Sequence, residues 1–371
     1  MSKKILITGG AGFIGSHLAD ELLAHGYRVR ALDNLSRQVH GNRAEPPEYL
    51  NPKVEFIRGD VRDAAVVRKA LEGVDAVFHF AAAVGIGQSM YEIVEYTSVN
   101  NLGTATLLQE IINRPVDALI VASSMSLYGE GLYRDDSGEL AAGDRSLEQL
   151  RSGDWEVRGP DGRALCPVPT PETKAPQLSS IYALSKFDQE RMCLLAGQAY
   201  GFRAAAMRFF NVYGPRQSLS NPYTGVMAIF ASRLLNGNRP MVFEDGQQLR
   251  DFVSVYDIAR ACRLALETPA AAGGVFNVGS GTAFRIRDVG EKIARALGCE
   301  NVNLDFTNRY RVGDIRHCFA DITRARNVLG YEPRIRFEQG IEELTEWMKL
   351  QTAEDHVAEA CSELSARGLA V

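Results

Sequence analysis

The sequence lacks long apolar runs and carries little net charge. Its 371 residues include 41 lysines and arginines against 46 acidic residues, a formal net charge of −5. This balance argues against nucleic acid or an anionic membrane as the main partner. The N-terminus, MSKKILITGG, has only a four-residue apolar run before its glycines, and no later run approaches the length of a membrane span. We therefore expect a soluble cytoplasmic protein.

Cysteine is scarce and scattered, which gives no support for disulfides or for a metal site. The six cysteines are Cys166, Cys193, Cys262, Cys299, Cys318 and Cys361, with no C-x-x-C pair among them. Free thiols in a reducing compartment are the expected state. The segment 130–178 contains Cys166 but no histidine and no second cysteine. One soft ligand does not build a tetrahedral zinc site, so no metal is predicted.

The first 210 residues alternate short apolar runs with segments of helical periodicity. The runs are KILIT (4–8), RVRALD (28–33), VEFI (54–57), DAVFHF (75–80), DALIVAS (117–123) and RAAAMRF (203–209). Strand–helix alternation of this kind predicts an α/β fold with a parallel, doubly wound sheet that is covered by helices on both faces.

The same patterns divide the chain. Residues 1–211 are predicted to form the sheet domain, with a surface insertion at about 130–178 that is rich in Gly, Pro, Asp and Arg. Residues 212–350 are predicted to form most of a smaller, interleaved mixed α/β domain, while a segment at about 250–280 returns to the first domain. Residues 351–371 are interpreted as a helical or frayed tail, to which no role is assigned.

A glycine-rich turn follows the first predicted strand. In LITGGAGFIGSHLADEL, Gly9, Gly12 and Gly15 open a helix with the spacing G-x-x-G-x-x-G. Small residues let the backbone approach a pyrophosphate, and the helix N-terminus offers N–H groups and the positive end of its dipole. The second strand ends at Asp33, with Asn34 beside it. A carboxylate there binds an adenosine ribose and repels a 2′-phosphate, so NAD is favoured over NADP.

Further residues are assigned to the same cofactor because they follow the glycines or end the next strands. Asp60, after the third strand, is expected to accept from the adenine amino group, although an ordinary helix N-cap is an alternative interpretation. Small side chains after the fourth strand leave room for the cofactor. The additional cofactor residues are Phe13, Ile14, Val61, Ala81, Ala82, Ala83 and Ser123, together with Tyr182 and Lys186 from the helix described next.

A candidate reactive pair lies in SIYALSKFDQERM. Tyr182 and Lys186 are four residues apart and share a face of a predicted helix. A free tyrosine is a poor base at neutral pH, and a neighbouring ammonium favours the phenolate. Tyr182 would then remove a proton from a sugar hydroxyl while a nicotinamide takes hydride from the same carbon. Ser124, at the end of the fifth strand, is expected to position that hydroxyl.

With these motifs in place, the chain resembles the extended short-chain dehydrogenase/reductase family, and within it the nucleotide-sugar epimerases and dehydratases. TGGAGFIG, SSMSLYG, YALSK, RFFNVYGPRQ, RDFVSVYDIARA, FNVGSG and RVGDIRHCFADITRARNVLGYEP match its motifs in order. The resemblance implies a Rossmann-type NAD domain, catalytic Tyr182, Lys186 and Ser124, and a homodimer through helices at about 91–113 and 181–200. It also implies that the cofactor-binding residue Asn100 lies near the cofactor and the active-site helices. Asn211, Arg250 and Arg311 would contact a nucleotide-sugar substrate, the arginines at its diphosphate.

Two positions discriminate within this family. Its 4,6-dehydratases carry an Asp–Glu pair after the strand-end hydroxyl residue, and its decarboxylases carry a Glu at the second position. Here those positions are Met125 and Ser126, neither of which is a general acid or base near neutral pH. A 4-epimerase needs no acid there. We therefore predict a 4-epimerase that regenerates its bound NAD, with Ser126 beside the substrate.

The sugar is less firmly defined by the sequence. The pattern is most similar to dTDP-L-rhamnose 4-epimerases, with UDP-glucose 4-epimerases and nucleotide-sugar reductases as alternatives. Val84 suits the methyl group of a 6-deoxy sugar, and Gly85, Ile86, Gln88 and Ser89 are expected to line the same end. PMVFEDGQQ (240–248) is a candidate wall for the base. In some relatives two cysteines stand where this chain has Gly159 and Gly162, and the segment with His317 and Cys318 is expected to border the substrate.

Overall fold

The computed structural model describes residues 2–351 and 354–370. The strands are β1 (Lys4–Thr8), β2 (Arg28–Asp33), β3 (Glu55–Arg58), β4 (Ala76–His79), β5 (Ala118–Ser124), β6 (Leu132–Arg134), β7 (Leu140–Ala142), β8 (Cys166–Val168), β9 (Arg203–Phe209), β10 (Asn211–Tyr213), β11 (Met241–Val242), β12 (Leu249–Ser254), β13 (Val275–Val278), β14 (Ala283–Arg285), β15 (Asp305–Phe306) and β16 (His317–Cys318).

The helices are α1 (Phe13–Ala24), α2 (Arg37–His40), α3 (Ala64–Ala70), α4 (Ile86–Ser89), α5 (Ile93–Tyr96), α6 (Gly103–Asn113), α7 (Leu147–Arg151), α8 (Ile181–Tyr200), α9 (Val226–Leu235), α10 (Val255–Glu267), α11 (Ile286–Ala296), α12 (Thr323–Leu329), α13 (Phe337–Lys349) and α14 (Val357–Ala366). A π-helical turn, Thr97–Leu102, joins α5 to α6. Within the described ranges, no helix is both long and apolar enough to cross a membrane.

Seven parallel strands form the main sheet, in the order β13-β9-β5-β4-β1-β2-β3. Alternation along the strands sends side chains to opposite faces. Ile5 and Ile7 pack in one hydrophobic cluster with α1 and α10, whereas Leu6 packs in the other with α3, α6 and α8. The predicted doubly wound α/β fold is confirmed, and each predicted strand is found with ends within one residue.

A second, smaller unit packs beyond the sheet. Its core joins α9, α11 and α13 to β12, which pairs in parallel with β10 and β16 and antiparallel with β14. The chain alternates between the two units, since β13 returns to the main sheet after β12. This interleaving brings the substrate unit over the carboxyl ends of the main strands, where ligands bind in folds of this type.

The insertion is more ordered than its composition indicated. Strands β7, β6 and β8 form a small antiparallel sheet, and buried ion pairs connect it to the substrate unit. Arg145 bonds to Glu130 at 3.0 Å and to Glu244 at 2.6 Å, and Arg316 bonds to Glu244 at 2.8 Å and to Asp245 at 2.6 Å. Opposite charges that share these hydrogen bonds connect the insertion to the second unit.

Candidate functional site

A cavity of about 670 Å³ lies between the main sheet and the substrate unit. Its size is within the range of small-molecule and cofactor sites. Of the residues that the sequence predicts at the site, Asn100, Ser89, His317 and Cys318 do not line it, whereas the catalytic, cofactor and substrate residues named next do. They are Gly9, Gly12, Phe13, Ile14, Gly15, Asp33, Asn34, Asp60, Val61, Ala81, Ala82, Ala83, Val84, Ser123, Ser124, Ser126, Tyr182, Lys186, Asn211, Arg250 and Arg311.

The glycine-rich turn is shaped by close backbone approach. Gly9 has φ +71°, and a Cβ there would lie 2.9 Å from the backbone nitrogen of Ala81. Only glycine therefore lets the turn rest against the end of β4. Gly12 is the N-cap of α1, and no side chain caps this helix. The amides of its first turn face the cavity uncapped, as a pyrophosphate site requires.

Two carboxylates, those of Asp33 and Asp60, line the same half of the cavity as the glycine-rich turn. Asp33 accepts from the amides of Ala11 (3.1 Å) and Leu35 (2.9 Å), which fixes it at the end of β2. Asp60 accepts from the guanidinium of Arg62 at 2.8 and 2.9 Å. That hydrogen bond is the main reason why the pKa of Asp60 falls to about 2.

The N-cap interpretation of Asp60 is wrong. The side chain of Asp63 caps α3, because it accepts from Ala65 and Val66. Asp60 instead accepts from the side-chain amide of Asn34 at 3.0 Å, so the two residues after β2 and β3 hold each other. The uncapped helix, the acid at Asp33 and this pair fit a dinucleotide along the carboxyl ends of β1 to β4.

The strand-end hydroxyls meet the tyrosine in the cavity. Ser126 Oγ donates to Ser124 Oγ at 2.9 Å, and Ser124 is hydrogen-bonded to Tyr182. Tyr182 enters the cavity from the first turn of α8, where Ser180 caps the helix by accepting from the amide of Ala183. The arrangement places three hydroxyl groups together, and no acidic side chain stands at positions 125 or 126.

The electrostatics of Tyr182 differ from the sequence-based expectation. Burial raises the pKa of the Tyr182 phenol, and its hydrogen bond with Ser124 lowers it. Lys186 does not reverse this, because its ammonium donates to Gln189 Oε1 at 2.8 Å. Burial also lowers the pKa of Lys186 to about 8. Desolvation of both groups, which sequence spacing does not reveal, dominates over their mutual attraction.

Lys186 lies at one end of a buried chain of polar groups that the sequence did not indicate. Gln189 Nε2 donates to Thr104 Oγ1 at 2.8 Å, and Thr104 Oγ1 lies 2.8 Å from His79 Nε2. His79 Nδ1 lies 2.8 Å from Thr8 Oγ1 at the end of β1. Burial lowers the pKa of His79 to about 3, so the chain is neutral apart from Lys186. Gln189 therefore fixes the direction of the only charged member.

Asn100 does not line the cavity but holds two of its walls. Its Nδ2 donates to Ala83 O (3.1 Å) and to Ser185 Oγ (2.9 Å), and its Oδ1 accepts from Ala83 N at 2.8 Å. It lies in the π-helical turn, a local insertion that often marks functional sites. Asn100 thus lies beside α8, as the resemblance implies, and its position near the cofactor stays a prediction.

Several acceptors in the substrate half have no hydrogen-bond partner among the described residues. These are Asn211 Oδ1, Gln217 Oε1 and Gln248 Oε1, and all three residues line the cavity. Buried polar atoms are normally paired, so an unpaired one points to a ligand donor. Gln248 lies in the predicted base wall, together with Met241, Val242 and Phe243. Gln217 was not identified from the sequence.

The two arginines lie side by side around Asp314. Arg311 donates to Asp314 Oδ2 at 2.8 Å and stacks 4.6 Å from the ring centre of Phe243. Arg250 lies 3.5 Å from Asp314 and donates to the carbonyl oxygens of Ile315 and Arg316. Both face the cavity, and one carboxylate between two guanidinium groups leaves the local charge positive, which suits a diphosphate.

His317, Cys318 and Ser89 do not line the cavity, although Asp314 and Ile315 of the same segment as His317 do. His317 Nδ1 accepts from the amide of Leu249 at 3.1 Å, and its Nε2 bonds to Glu156 at 3.1 Å, in the ionic contact with the insertion. Ser89 is fully buried and accepts from the amide of Tyr182 at 3.0 Å. Within the described residues, no group of three His, Cys, Asp or Glu side chains is placed to hold a metal ion.

The tail contributes a wall that the sequence did not suggest. Val357, Ala360, Cys361 and Leu364 of α14 line the cavity, as does Leu369. The four α14 residues that line the cavity have helical spacing in the sequence. In so short a segment, this periodicity does not indicate which surface of the protein the helix covers.

Comparison with known proteins gives one family over most of the chain. The model of the "NAD dependent epimerase/dehydratase family" matches residues 5–148 and 156–279. A dTDP-L-rhamnose 4-epimerase from Burkholderia thailandensis is 35% identical over 352 residues, which cover 93% of this chain and 95% of the relative.

Solved structures agree with that match. The UDP-N-acetylglucosamine 4-epimerase from Methanobrevibacter ruminantium, in complex with UDP-N-acetylmuramic acid, has a TM-score of 0.77 and 30% identity, covering 95% of this chain and 99% of that one. The UDP-glucose 4-epimerase from Thermus thermophilus, in complex with NAD, has a TM-score of 0.73 and 30% identity, covering 94% and 100%.

Proposed function

Because this chain belongs to the NAD-dependent epimerase/dehydratase family, we propose that it is a 4-epimerase that interconverts dTDP-L-rhamnose and dTDP-6-deoxy-L-talose. The observation that carries the proposal is the hydroxyl cluster of Ser124, Ser126 and Tyr182, with no carboxylate at positions 125 and 126. Met125 packs in the hydrophobic core, and its thioether neither gives nor takes up a proton. Dehydration needs an acid and a base there, whereas epimerisation needs neither.

The chain's own residues then have simple roles. Ser124 orients the C4 hydroxyl of the sugar toward Tyr182, and Tyr182 accepts its proton and later returns it. Gly9, Gly12, Asp33 and Asp60 would hold an NAD. When bound, it would supply a reversible hydride acceptor at C4 and a positive charge that offsets the effect of burial on Tyr182. Lys186 holds a proton at Nζ near the phenol, fixed by Gln189. No atom is gained or lost overall, so the cofactor is recycled.

The sugar and the nucleotide are proposed from the relatives and from the residues that line the cavity. One relative described above is a dTDP-L-rhamnose 4-epimerase, and Val84 presents an apolar side chain to the cavity that Tyr182 also lines. The unpaired acceptors of Asn211 and Gln248 match the hydroxyl and imide N–H donors of a sugar and a pyrimidine. The arginines Arg250 and Arg311 supply positive charge for the diphosphate between them.

We further propose that two copies associate through α5–α6 and α8. These helices leave Leu102 at 56% and Leu195 at 54% exposure, and Leu184 is also exposed. Exposed leucines on adjacent helices favour a helix-bundle interface. Light scattering coupled to size-exclusion chromatography should then give the mass of two chains, whereas a mass of one chain would contradict this part of the proposal.

The function is tested by proton NMR of purified protein without added cofactor. The protein is mixed separately with dTDP-L-rhamnose and with UDP-galactose, and new anomeric signals are followed over time. Signals of the 6-deoxy-talose form with the first substrate support the proposal. Conversion of UDP-galactose alone would leave the mechanism but replace the sugar with that of UDP-glucose 4-epimerases. Conversion that needs stoichiometric NAD(H) would replace the epimerase with a reductase.

A further inference from the structure

The helix α14 turns one apolar face to the cavity. Val357, Ala360, Cys361 and Leu364 line the cavity, with spacings of three, one and three residues. Residues on the opposite side, including Ser362, are exposed. The apolar face of the helix therefore packs against the protein at the edge of the cavity, since Val357, Ala360 and Leu364 are each at most 9% exposed.

Contacts at both ends hold α14 in place on the substrate unit. Before it, Asp355 bonds to Arg233 at 3.3 Å and accepts from Asn238 at 2.7 Å. After it, the amide of Val312 donates to Leu369 O at 2.9 Å, directly beside Arg311. A terminal helix with bonds at both ends is a fixed wall of the cavity and not a loosely attached tail.

The contacts of α14 also give its direction across the cavity. Cys361 Sγ lies 3.7 Å from Met241 Sδ in β11, at the proposed base wall. Leu364 packs on Gly87 of α4, where a Cβ would lie only 3.1 Å from Leu364 Cδ2. Because α4 closely follows Val84, the leucine end of α14 lies at the proposed sugar end.

We propose that α14 selects the sugar: Leu364, supported by Gly87, closes the sugar end with an apolar surface that favours a 6-deoxyhexose over a sugar with a 6-hydroxyl group. This assignment rests on the proposed function, since it names the substrate class of the same site. A hydroxyl group facing Leu364 loses water without gaining a partner, whereas a methyl group fills the same space at no such cost.

The test measures binding and not turnover. Isothermal titration of the NAD-loaded protein gives dissociation constants for dTDP-L-rhamnose, for dTDP-L-mannose, which adds only the 6-hydroxyl group, and for dTDP alone. Tyr182→Phe is present in every protein titrated, so that no substrate is converted during the measurement. The variants are Leu364→Ser, which removes the apolar surface, and Leu364→Met, which keeps it. Ser362→Ala, on the exposed side of the same helix, is the matched control. If Leu364→Ser does not fold, Ala360→Ser places a hydroxyl group on the same face.

The wild type, Leu364→Met and Ser362→Ala should prefer dTDP-L-rhamnose by about tenfold or more, as one apolar contact allows. Leu364→Ser should reduce the preference for dTDP-L-rhamnose over dTDP-L-mannose to about threefold or less. Its affinity for dTDP should stay within about twofold of the wild-type value. A wild-type ratio near one would overturn the inference, as would an equal loss for both sugars.

The result also separates this inference from the proposed function. The protein could show a sugar preference that depends on Leu364 and yet convert neither dTDP-L-rhamnose nor UDP-galactose. That result would support the role of α14 and refute the proposed reaction. The protein could instead convert dTDP-L-rhamnose while Leu364→Ser leaves the ratio of the two sugar affinities unchanged. That result would support the proposed reaction and refute the role of α14.

Discussion

Replacing Gln189 with leucine should move the alkaline limb of the pH–rate profile to lower pH. Lys186 is buried, and its ammonium donates to Gln189 Oε1 at 2.8 Å. Leucine has a similar volume but accepts no hydrogen bond, so the variant removes a partner of the charged form of lysine. The neutral form is then favoured, and the pKa of Lys186 falls.

The size of the shift follows from the bond that is lost. A hydrogen bond to a charged group is worth about 1.5–3 kcal/mol, and about 1.4 kcal/mol corresponds to one pKa unit. The pKa of Lys186, about 8 in this structure, should therefore fall by roughly one to two units. Since the proposed mechanism needs the protonated amine, kcat should decline above about pH 6–7 in the variant.

Gln189→Glu provides the opposite sign at the same position. A carboxylate 2.8 Å from the ammonium favours its charged form, so the alkaline limb should move to higher pH. The other groups that influence Lys186 are Glu190 and Cys193 on its own helix and His79 on β4, and none of them is changed.

The assay is the initial rate of C4 interconversion of saturating dTDP-L-rhamnose between about pH 5.5 and 10, since kcat reports groups in the substrate complex. Gln198→Leu, on the exposed part of the same helix, is the matched control and should keep the wild-type profile. An unchanged limb in Gln189→Leu, or shifts of the same sign in the leucine and glutamate variants, would refute the role of Gln189.

Three further predictions concern the proposed site. Tyr182→Phe should bind the nucleotide sugar with nearly unchanged affinity by titration calorimetry but lose turnover by about 10²–10⁴-fold, and full activity would remove Tyr182 from the mechanism. Ser126→Glu should yield no 4-keto-6-deoxy sugar by NMR, because Met125 is in the core and offers no partner acid; such a product would show that the acid positions were misassigned. Asp33→Asn should weaken NAD binding by roughly tenfold and reduce the preference for NAD over NADP. If the variant and the wild type bind NAD equally well, Asp33 does not contact the ribose.

Local patterns along the chain were sufficient to predict the parallel sheet. Five of the six predicted strands are short, largely apolar runs that are buried on both faces of the sheet, and such runs are visible in the sequence itself. The glycine turn, Asp33, Ser124 and the Tyr182–Lys186 pair were also found, because each lies at a strand end or on a single helix turn. Their positions around one cavity follow from the topology of parallel strands.

The sequence by itself therefore determined the fold class and identified residues that line the sheet side of the cavity, Tyr182 and Lys186 among them. Tertiary structure alone decided the pKa of Lys186, because burial by distant strands sets the desolvation. It also decided that His317 bonds to Glu156 and not to a ligand, and that α14 reaches Gly87 across the cavity. These contacts join residues far apart along the chain, and no local period or spacing encodes which distant surface a segment will meet.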